Sequence, residues 1–335
     1  MPTLPHLVQP TAITLAERVS RALGREVWVK HDNATHPRYG GNKVRKLEHL
    51  LAEAKSEGAT HLLTAGAAGS HHVLATAVHG GAAGFHVEAV LTPRPRTEHA
   101  AATLRATLAQ GATLHRCSNA ADAVVNALGR AARLRAQGRE VYFIRPGGSS
   151  PRGALGYVSA MAEAAEQLTA LGVSVDAMFV PLGSGGTLAG MLAGARIHSV
   201  RAELVGVRVA GAWMSPRPAV AALAEGVMDL ALGDDKSTPR SFSRNDIRAD
   251  EGQVGEGYGH ATDEGRAAID LFGEDGVGLD LTYSSKAAAG LIARARSAPA
   301  GARFLFWNTL SSASLGGLVR DTAAPLPPEL DALLL

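Results

Sequence analysis

The chain has little cysteine and little net charge. Cys117 is the single cysteine among 335 residues, which excludes an intramolecular disulfide and fits a reducing compartment. Its surroundings, "LHRCSNA", show no partnered nucleophile pattern, so the sequence does not predict a catalytic thiol. The net charge of +2 is too small to indicate a nucleic acid or an anionic membrane as a partner.

The sequence also lacks the segments that direct a chain into or across a membrane. Its beginning has no basic-then-apolar signal layout, and no uncharged apolar run is long enough to span a bilayer. Charged residues make up 19% and apolar residues 46%, an ordinary globular balance. We therefore expect a soluble, cytoplasmic protein with a sizeable core, more consistent with two domains than with one.

Short apolar runs alternate with segments of helical period along most of the chain. In "KLEHLLAEAKSEGA", apolar residues recur on one helical face, and "AATLRATLAQGA" and "GYVSAMAEAAEQLTALG" are similar. This alternation predicts an α/β fold with mostly parallel sheets flanked by helices, and ligands bound where strands turn into helices. The runs read as buried strands are "HLLTAG", "VEAVLT", "EVYFIRPG", "AMFVPLG", "LVGVRV" and "RFLFWNT".

Two stretches interrupt the alternation. "PGGSSPRGALGY" is rich in Gly, Ser and Pro, and we read it as a loop that crosses between domains. Residues 232–260 are polar and rich in turn formers. They predict either a mobile surface excursion or a loop that covers a site.

The stretch "GGNKVRKLE" places Lys43 at the start of a predicted helix. We expect Asn42 to be the N-cap, which leaves Lys43 in the first turn, where the helix dipole disfavours a cation. Lys46 lies on the same face and adds repulsion. Both effects lower the pKa of Lys43, as an amine needs in order to form a Schiff base. The alternative is an ordinary solvated lysine, so a second signal is required.

The second signal is a glycine loop between a strand and a helix. The predicted strand from Ala177 to Leu182 runs into "GSGGT", and a helix opens at once. Backbone N–H groups at a helix start form a phosphate cradle, although a tight turn without a ligand is the alternative. The predicted phosphate-binding residues are Gly183, Ser184, Gly185, Gly186 and Thr187.

The loop best fits a small monophosphate. It lacks the Gly-Lys-Ser/Thr ending of a P-loop, and its spacing is not that of a dinucleotide fingerprint. The next strand ends without a carboxylate, and Arg208 lies in its middle. A Schiff-base lysine together with a monophosphate cradle indicates pyridoxal 5′-phosphate (PLP) as the cofactor, which supplies the electron sink.

Over nearly its whole length, the sequence resembles the fold-type II PLP enzymes of the D-cysteine desulfhydrase and 1-aminocyclopropane-1-carboxylate (ACC) deaminase family. The resemblance implies a fold like that of the tryptophan synthase β chain, with PLP in a cleft between a small domain of residues 47–155 and a large one of residues 1–46 and 156–335. A homodimer is also implied. The motifs that carry it are "VKHDN", "GGNKVRKLEHLLAEA", "TAGAAGSHHVLATA", "RPGGSSPRGALGYVSA", "PLGSGGTLAGMLAG", "VGEGYG" and "GLDLTYSSKAAAGL".

The same resemblance implies roles for particular residues. Lys43 carries the cofactor, and Lys46 joins the glycine loop in binding it. Ser70 contacts the substrate carboxylate or assists at Cα, on a loop that feeds a helix. Tyr258 and Tyr283 line the substrate side of the ring, where a phenol can donate to a carboxylate or move a proton.

The residue facing the pyridine nitrogen favours one reaction over others. ACC deaminases place a glutamate directly after the second tyrosine, where this chain has Ser284. The strand "RFLFWNT" instead delivers Thr309, similar to the desulfhydrase pattern. We expect β-elimination from D-cysteine or a related β-substituted alanine, with Lys43 as the general base at Cα. ACC deaminase, L-cysteate sulfo-lyase, a racemase, a β-replacing synthase and a non-catalytic PLP-binding protein remain alternatives.

One motif departs from the family pattern. Relatives typically have Gln-Ser-Asn-His where this chain has Gly69, Ser70, His71 and His72. We expect Gly69 to remove a polar contact and make room near the substrate. His71 is expected to replace the asparagine as a donor to the cofactor, with a charge that titrates near neutral pH. No metal is predicted, because sequence neighbours point apart and no metal-ligand spacing accompanies them.

Overall fold

The computed structural model describes residues 3–319 and 325–335. The strands are β1 (Ile13–Leu15), β2 (Glu26–Lys30), β3 (His61–Ala67), β4 (His86–Thr92), β5 (Thr113–Arg116), β6 (Val141–Ile144), β7 (Ala177–Leu182), β8 (Glu203–Arg208), β9 (Arg248–Asp250) and β10 (Arg303–Trp307). The helices are α1 (Glu17–Leu23), α2 (Asn42–Ser56), α3 (His71–Ala82), α4 (Glu98–Ala109), α5 (Ala120–Ala136), α6 (Pro151–Leu171), α7 (Gly186–Ile197), α8 (Arg217–Leu232), α9 (Asp263–Gly273), α10 (Ser284–Ser297) and α11 (Pro328–Asp331).

The strands form two sheets, and the predicted mostly parallel α/β architecture is confirmed. One sheet has six strands in the order β1-β2-β10-β7-β8-β9, and only the β1–β2 pair among them is antiparallel. The other has four parallel strands in the order β5-β4-β3-β6. The four-stranded sheet lies within residues 47–155 and the six-stranded sheet outside them; the domain boundaries themselves stay a prediction.

All six predicted strands are present, and four further strands escaped the sequence pattern. Of these, β1 and β9 have three residues each, and β5 has an exposed residue at each end with two half-buried residues between them. β2, "EVWVK", has a charged residue at each end and lies between β1 and β10. Short or polar strands give a weak periodic signal, so neighbouring strands decide their pairing.

The two irregular stretches are only partly loops. In the first, Ser150 caps α6 by accepting from the Gly153 N–H, so the predicted loop gives way to helix at Pro151. The second contains β9 and continues to Tyr258, which lines the same cavity as Lys43. It therefore contributes to a site. Among the described residues, no helix is both long and apolar enough to cross a membrane.

Helix α2 connects the cores of the two sheets. Leu47, Leu50 and Leu51 pack into the apolar cluster of the four-stranded sheet, while Ala154 and Met161 of α6 belong to the cluster of the six-stranded sheet. Helices α2 and α6 pack against each other. This contact fixes the start of α2 relative to the β7–α7 turn.

Candidate active site

The carboxyl ends of strands from both sheets surround one cavity of about 840 Å³. Ala67 at the end of β3, Thr92 of β4 and Pro181 of β7 contribute to its wall. This is the position at which open parallel sheets bind ligands. All twelve predicted site residues line the cavity: Lys43, Lys46, Ser70, His71, Gly183, Ser184, Gly185, Gly186, Thr187, Tyr258, Tyr283 and Thr309.

The turn before Lys43 is formed by glycine, as expected, but its cap differs from the prediction. Gly41, with φ of 90°, is the N-cap of α2, and Asn42 is already helical. A Cβ on Gly41 would lie 2.8 Å from the Thr309 carbonyl oxygen, so no other residue fits. The Asn42 amide side chain donates to Thr187 Oγ1 at 3.1 Å, joining the lysine turn to the glycine loop.

The lowered pKa of Lys43 is confirmed, but its cause is burial. Removal from water lowers the pKa of this amine to about 8, and the Asp280 carboxylate partly opposes the effect. The repulsion between the two lysines acts on Lys46 instead. Burial is the larger cause and Lys43 the second, and together they hold the pKa of Lys46 well below its usual value. Lys43 is thus an amine that loses its proton within reach of neutral pH.

The glycine loop has the geometry of an anion cradle. Gly185, in the left-handed region at φ of 88°, precedes α7, and the Gly186 N–H donates to Ser149 Oγ at 3.2 Å. A Cβ on Gly186 would lie 2.5 Å from Ser149 Oγ and 2.9 Å from Lys46 Nζ. The loop therefore admits no side chain here, and its backbone can approach a ligand closely.

Lys46 places a buried amine beside the cradle. Its side chain is 1% exposed, and Nζ donates to the Gly147 carbonyl oxygen at 3.0 Å. No carboxylate in the described part of the chain pairs with it. A buried ammonium is costly without a counter-charge, so the residues present fit a phosphate at this place. Ser149 and Gly147 lie in the stretch that the sequence presents only as a Gly/Ser/Pro loop.

Two tyrosines from distant segments meet on another wall. Tyr258 Oη and Tyr283 Oη are 2.5 Å apart, and the rings pack edge to face. The Arg94 guanidinium lies 5.5 Å from the centre of the Tyr258 ring. Burial and Tyr258 raise the pKa of Tyr283 well above its usual value, so the Tyr283 phenol holds its proton at neutral pH.

Ser70 and the adjacent histidines occupy the start of α3. Ser70 is the N-cap of this helix, which confirms its predicted place between strand and helix. His71 is neutral, contrary to expectation, because burial and His99 lower its pKa to about 3. His72 also lines the cavity, and its Nε2 is 2.9 Å from Thr64 Oγ1.

The role expected of His71 as a direct donor to the cofactor does not suit its contacts. Its Nδ1 is 2.6 Å from Tyr39 Oη, and its Nε2 is 3.0 Å from His99 Nε2. Both ring nitrogens are thus engaged. A direct bond to another group would require one of these two contacts to break.

Gly69 does not make room near the substrate, as the sequence comparison had suggested. It is not part of the cavity wall, and its φ of 71° lies in the left-handed region. A Cβ there would lie 2.5 Å from the Ala100 carbonyl oxygen. The space beside Gly69 is filled by the backbone of α4, so the glycine serves the packing of α3 against α4.

Asp280 is a cavity residue that sequence reasoning missed. It accepts hydrogen bonds from the backbone N–H groups of Thr282, Tyr283 and Ser284. Burial raises the pKa of Asp280, and the hydrogen bonds from Ser284 and Thr282 oppose this effect. The net pKa is lowered, so Asp280 remains a carboxylate. Ser284 Oγ also donates to Asp280 and lies outside the cavity wall. The signal in "DLTYSS" was an acid followed by Thr and Ser before a helix.

Comparisons with known proteins agree with this geometry. The family described as pyridoxal-phosphate dependent enzyme matches residues 4–309. A D-cysteine desulfhydrase of Salmonella schwarzengrund (strain CVM19633) is 36% identical over 302 residues, covering 87% of this chain and 88% of that protein. A D-cysteine desulfhydrase of Klebsiella pneumoniae (strain 342) is 36% identical over 309 residues, with the same coverage.

Solved structures place the fold in the same group. The crystal structure of an ACC deaminase homologue has a TM-score of 0.82 and 29% identity, covering 100% of this chain and 97% of that one. A threonine deaminase of Solanum lycopersicum shares the fold alone, with a TM-score of 0.63 and 18% identity, covering 94% of this chain and 85% of that one. The chain therefore belongs to the pyridoxal-phosphate-dependent enzymes of fold type II, with PLP as its cofactor, and is a lyase of the β-eliminating kind.

Proposed function

We propose that the protein eliminates the β-substituent of D-cysteine or a related β-substituted alanine, giving pyruvate, ammonia and sulfide or another leaving group. One observation supports this most: a lysine with a pKa of about 8 lines the same cavity as a glycine loop that has the buried Lys46 amine beside it. The names of the D-cysteine desulfhydrases at 36% identity favour this substrate.

The cofactor-holding roles are assigned by chemistry. The Lys43 amine would hold the cofactor through its aldehyde, while the glycine loop and Lys46 would hold its phosphate. Thr309 would serve the ring nitrogen as a neutral hydroxyl. When bound, PLP supplies an electron sink for the carbon that loses a proton. His71 is given no direct contact with PLP, because Tyr39 and His99 already engage both of its ring nitrogens.

The protein's own groups move the protons. Once free, the Lys43 amine takes the Cα proton, since a pKa of about 8 leaves a useful fraction unprotonated near neutral pH. The Ser70 hydroxyl binds the substrate carboxylate at the start of α3. Tyr258 and Tyr283, which share a proton-bearing contact of 2.5 Å, donate a proton to the departing group.

The test begins with the colour of the purified protein. Protein that is yellow and bleaches with borohydride holds a lysine-bound aldehyde. Adding D-cysteine should then release sulfide and pyruvate in equal amounts. Lys43→Ala should abolish both, while Lys55→Ala, an exposed lysine of the same helix, should leave both unchanged. A yellow protein that forms no product would support a non-catalytic PLP-binding protein instead.

The alternative activities give different products. ACC would yield a four-carbon keto acid, L-cysteate would release sulfite, and a racemase would change optical rotation without forming pyruvate. Any of these at a higher kcat/KM than D-cysteine would overturn the proposed substrate.

A bulkier apolar β-substituent is a second candidate substrate feature. Beyond the lysine, the cavity wall includes Ala123 and Ala127 of α5, together with Met214 and the largely exposed Trp213. Small and apolar side chains favour an apolar group over a charged one. If S-alkylated D-cysteines react with a higher kcat/KM than D-cysteine, the larger group is preferred.

We also propose a cytoplasmic homodimer. The supporting feature is a strip of α5 on which Val124, Val125 and Leu128 are 60%, 69% and 68% exposed. A second copy of the chain would cover this strip. Analytical ultracentrifugation should give twice the mass of 34.6 kDa, and Val125→Glu should shift the protein toward the single chain. A parent chain that sediments as a monomer at micromolar concentration would contradict this.

A further inference from the structure

Three side chains form a hydrogen-bonded line from the cavity to the protein surface. Tyr39 is 2% exposed and lines the cavity together with His71. Tyr39 Oη is 2.6 Å from His71 Nδ1, and His71 Nε2 is 3.0 Å from His99 Nε2. His99 lies outside the cavity wall, on the exposed first turn of α4. We call Tyr39, His71 and His99 the histidine line.

The hydrogen bonds of the histidine line can be arranged with their donors in either of two directions. Passing one proton along the line converts one arrangement into the other. In one, Tyr39 donates to His71 Nδ1, and His71 Nε2–H donates to His99 Nε2. In the other, His99 Nε2–H donates to His71 Nε2, and His71 Nδ1–H donates to Tyr39. A neutral imidazole carries one donor and one acceptor nitrogen, so either direction satisfies both rings.

Burial keeps the His71 ring neutral in both directions. His99 adds to this effect, as do Arg94 and Lys43, while Asp280 attracts a proton toward the ring. A ring held neutral does not trap a proton as imidazolium. It can take one proton at Nδ1 while it releases another from Nε2.

We propose that the histidine line carries protons between the active-site cavity and bulk water during turnover. A proton reaching Tyr39 Oη displaces the hydroxyl proton to His71 Nδ1, the Nε2 proton passes to His99 Nε2, and the Nδ1 proton of His99 leaves to water. Transfer in the opposite direction restores the line, so one proton out and one proton in leave it unchanged. The proposal rests on the proposed β-elimination, which removes a proton at Cα and later requires protons for release of product.

His71 and His99 act on the reaction through Tyr39, so they are positioning residues. A merely structural role would hold α3 against α4 without affecting proton exchange. Readouts that follow the proton itself therefore separate the two roles.

The first experiment needs no turnover. In protein labelled with ¹⁵N at histidine and free of substrate, a coupling across the hydrogen bond should join Nε2 of His71 to Nε2 of His99. His99→Gln should remove this coupling and slow solvent exchange of the His71 ring proton by at least about fivefold. His198→Gln, an exposed histidine at the end of α7, should change neither.

The second experiment uses the PLP-loaded protein with D-cysteine. His99→Gln should lower kcat about tenfold, less than the roughly 100-fold or more contributed by a directly acting acid or base. It should raise the solvent deuterium isotope effect on kcat, and added imidazole should restore much of the rate. His198→Gln should behave like the parent chain in all three measurements.

The outcomes are distinct. If the parent lacks the coupling, or if His99→Gln leaves both the exchange rate and the isotope effect unchanged, the proton path is wrong even when pyruvate forms. If the parent forms no pyruvate, the proposed function is wrong. The proton path is still supported in that case if the parent shows the coupling and His99→Gln shows slowed exchange of the His71 ring proton.

Discussion

Lys43 acquires its reactivity from where its side chain is placed. Near the surface, a lysine in a first helical turn would lose only a little of its pKa to the dipole, because solvent screens that effect. In the cavity, burial lowers the pKa of Lys43 to about 8. The Asp280 carboxylate opposes this lowering. One carboxylate therefore adjusts how much of this amine is unprotonated at neutral pH.

This balance gives a prediction for Asp280→Asn. Asp280 raises the pKa of Lys43, so its removal should move the pKa below about 8. In cofactor-free protein, the pH midpoint for acylation of Lys43, followed by peptide mass spectrometry, should shift to lower pH. Asp263→Asn, an exposed acid at the start of α9, should leave the midpoint unchanged. A midpoint that rises would contradict the role given to Asp280.

The packing of α3 against α4 depends on a glycine that the sequence comparison had placed in the site. Gly69 combines a left-handed φ of 71° with a Cβ position 2.5 Å from the Ala100 carbonyl oxygen. A left-handed φ costs a residue with a side chain about 1 kcal/mol or more, and the short distance to Ala100 would require α4 to move.

We therefore expect Gly69→Ala to lower the free energy of unfolding by about 3 kcal/mol. The matched control is Gly111→Ala, because Gly111 has a similar φ of 78° and nothing within 4 Å of its Cβ position. That substitution should cost about 1 kcal/mol. Urea denaturation of both variants measures the difference, and equal losses would show that contact with α4 is unimportant.

Helices α2 and α6 approach each other closely at a glycine. A Cβ on Gly156 would lie 1.9 Å from the Arg45 carbonyl oxygen. This close approach brings the start of α2, and with it Lys43, toward the glycine loop that precedes α7.

Gly156→Ala should therefore destabilise the protein by more than about 2 kcal/mol and weaken PLP binding, although alanine is the better helix former. Gly129→Ala, in the middle of α5 with only Arg133 Nη2 at 4.0 Å, should instead stabilise by about 0.5–1 kcal/mol. Thermal denaturation and PLP titration together test the pair. A stabilising Gly156→Ala would mean that the two helices can separate freely.

A largely buried ion network connects segments that are far apart in the chain. Arg45 of α2 pairs with Asp32 after β2 and with Glu163 of α6, and Glu163 also pairs with Lys30. Tyr157 Oη donates to Asp32 at 2.8 Å. Removing one member of such a network leaves the others buried without a counter-charge.

Glu163→Gln should lower the free energy of unfolding by about 3 kcal/mol at neutral pH. Burial raises the pKa of Glu163, but Arg45 and Lys30 lower it by more, so the folded pKa lies below that of the unfolded chain. The contribution is therefore present above the unfolded value of about 4.3 and is lost as the pH falls through the folded value.

Parent and variant should thus converge in stability in acid and differ near neutral pH. Glu166→Gln, an exposed acid on the same helix, should follow the parent at every pH. Guanidinium denaturation across the pH range supplies the curves. A constant gap between parent and Glu163→Gln down to the acid limit would be inconsistent with the ion pairing described.

Much of the fold was predictable because buried parallel strands and amphipathic helices have strong local patterns. The six apolar strands and the β7–α7 glycine turn follow directly from composition and period. β2 and β9, which have a charged residue at each end, did not, since neighbouring strands decide their pairing. Ser149, Tyr39 and Asp280 were missed because no local pattern links them to Lys43.

The amino-acid order was enough to specify an α/β chain, a reactive lysine on a glycine turn, a phosphate-binding loop and the family. These depend on contacts between residues near one another in the chain, where spacing is set by covalent geometry. The pKa of Lys43, the neutrality of His71, the packing role of Gly69 and the line from Tyr39 to His99 were settled only by folding. Each depends on burial and on distances between remote segments, and no spacing along the chain encodes those.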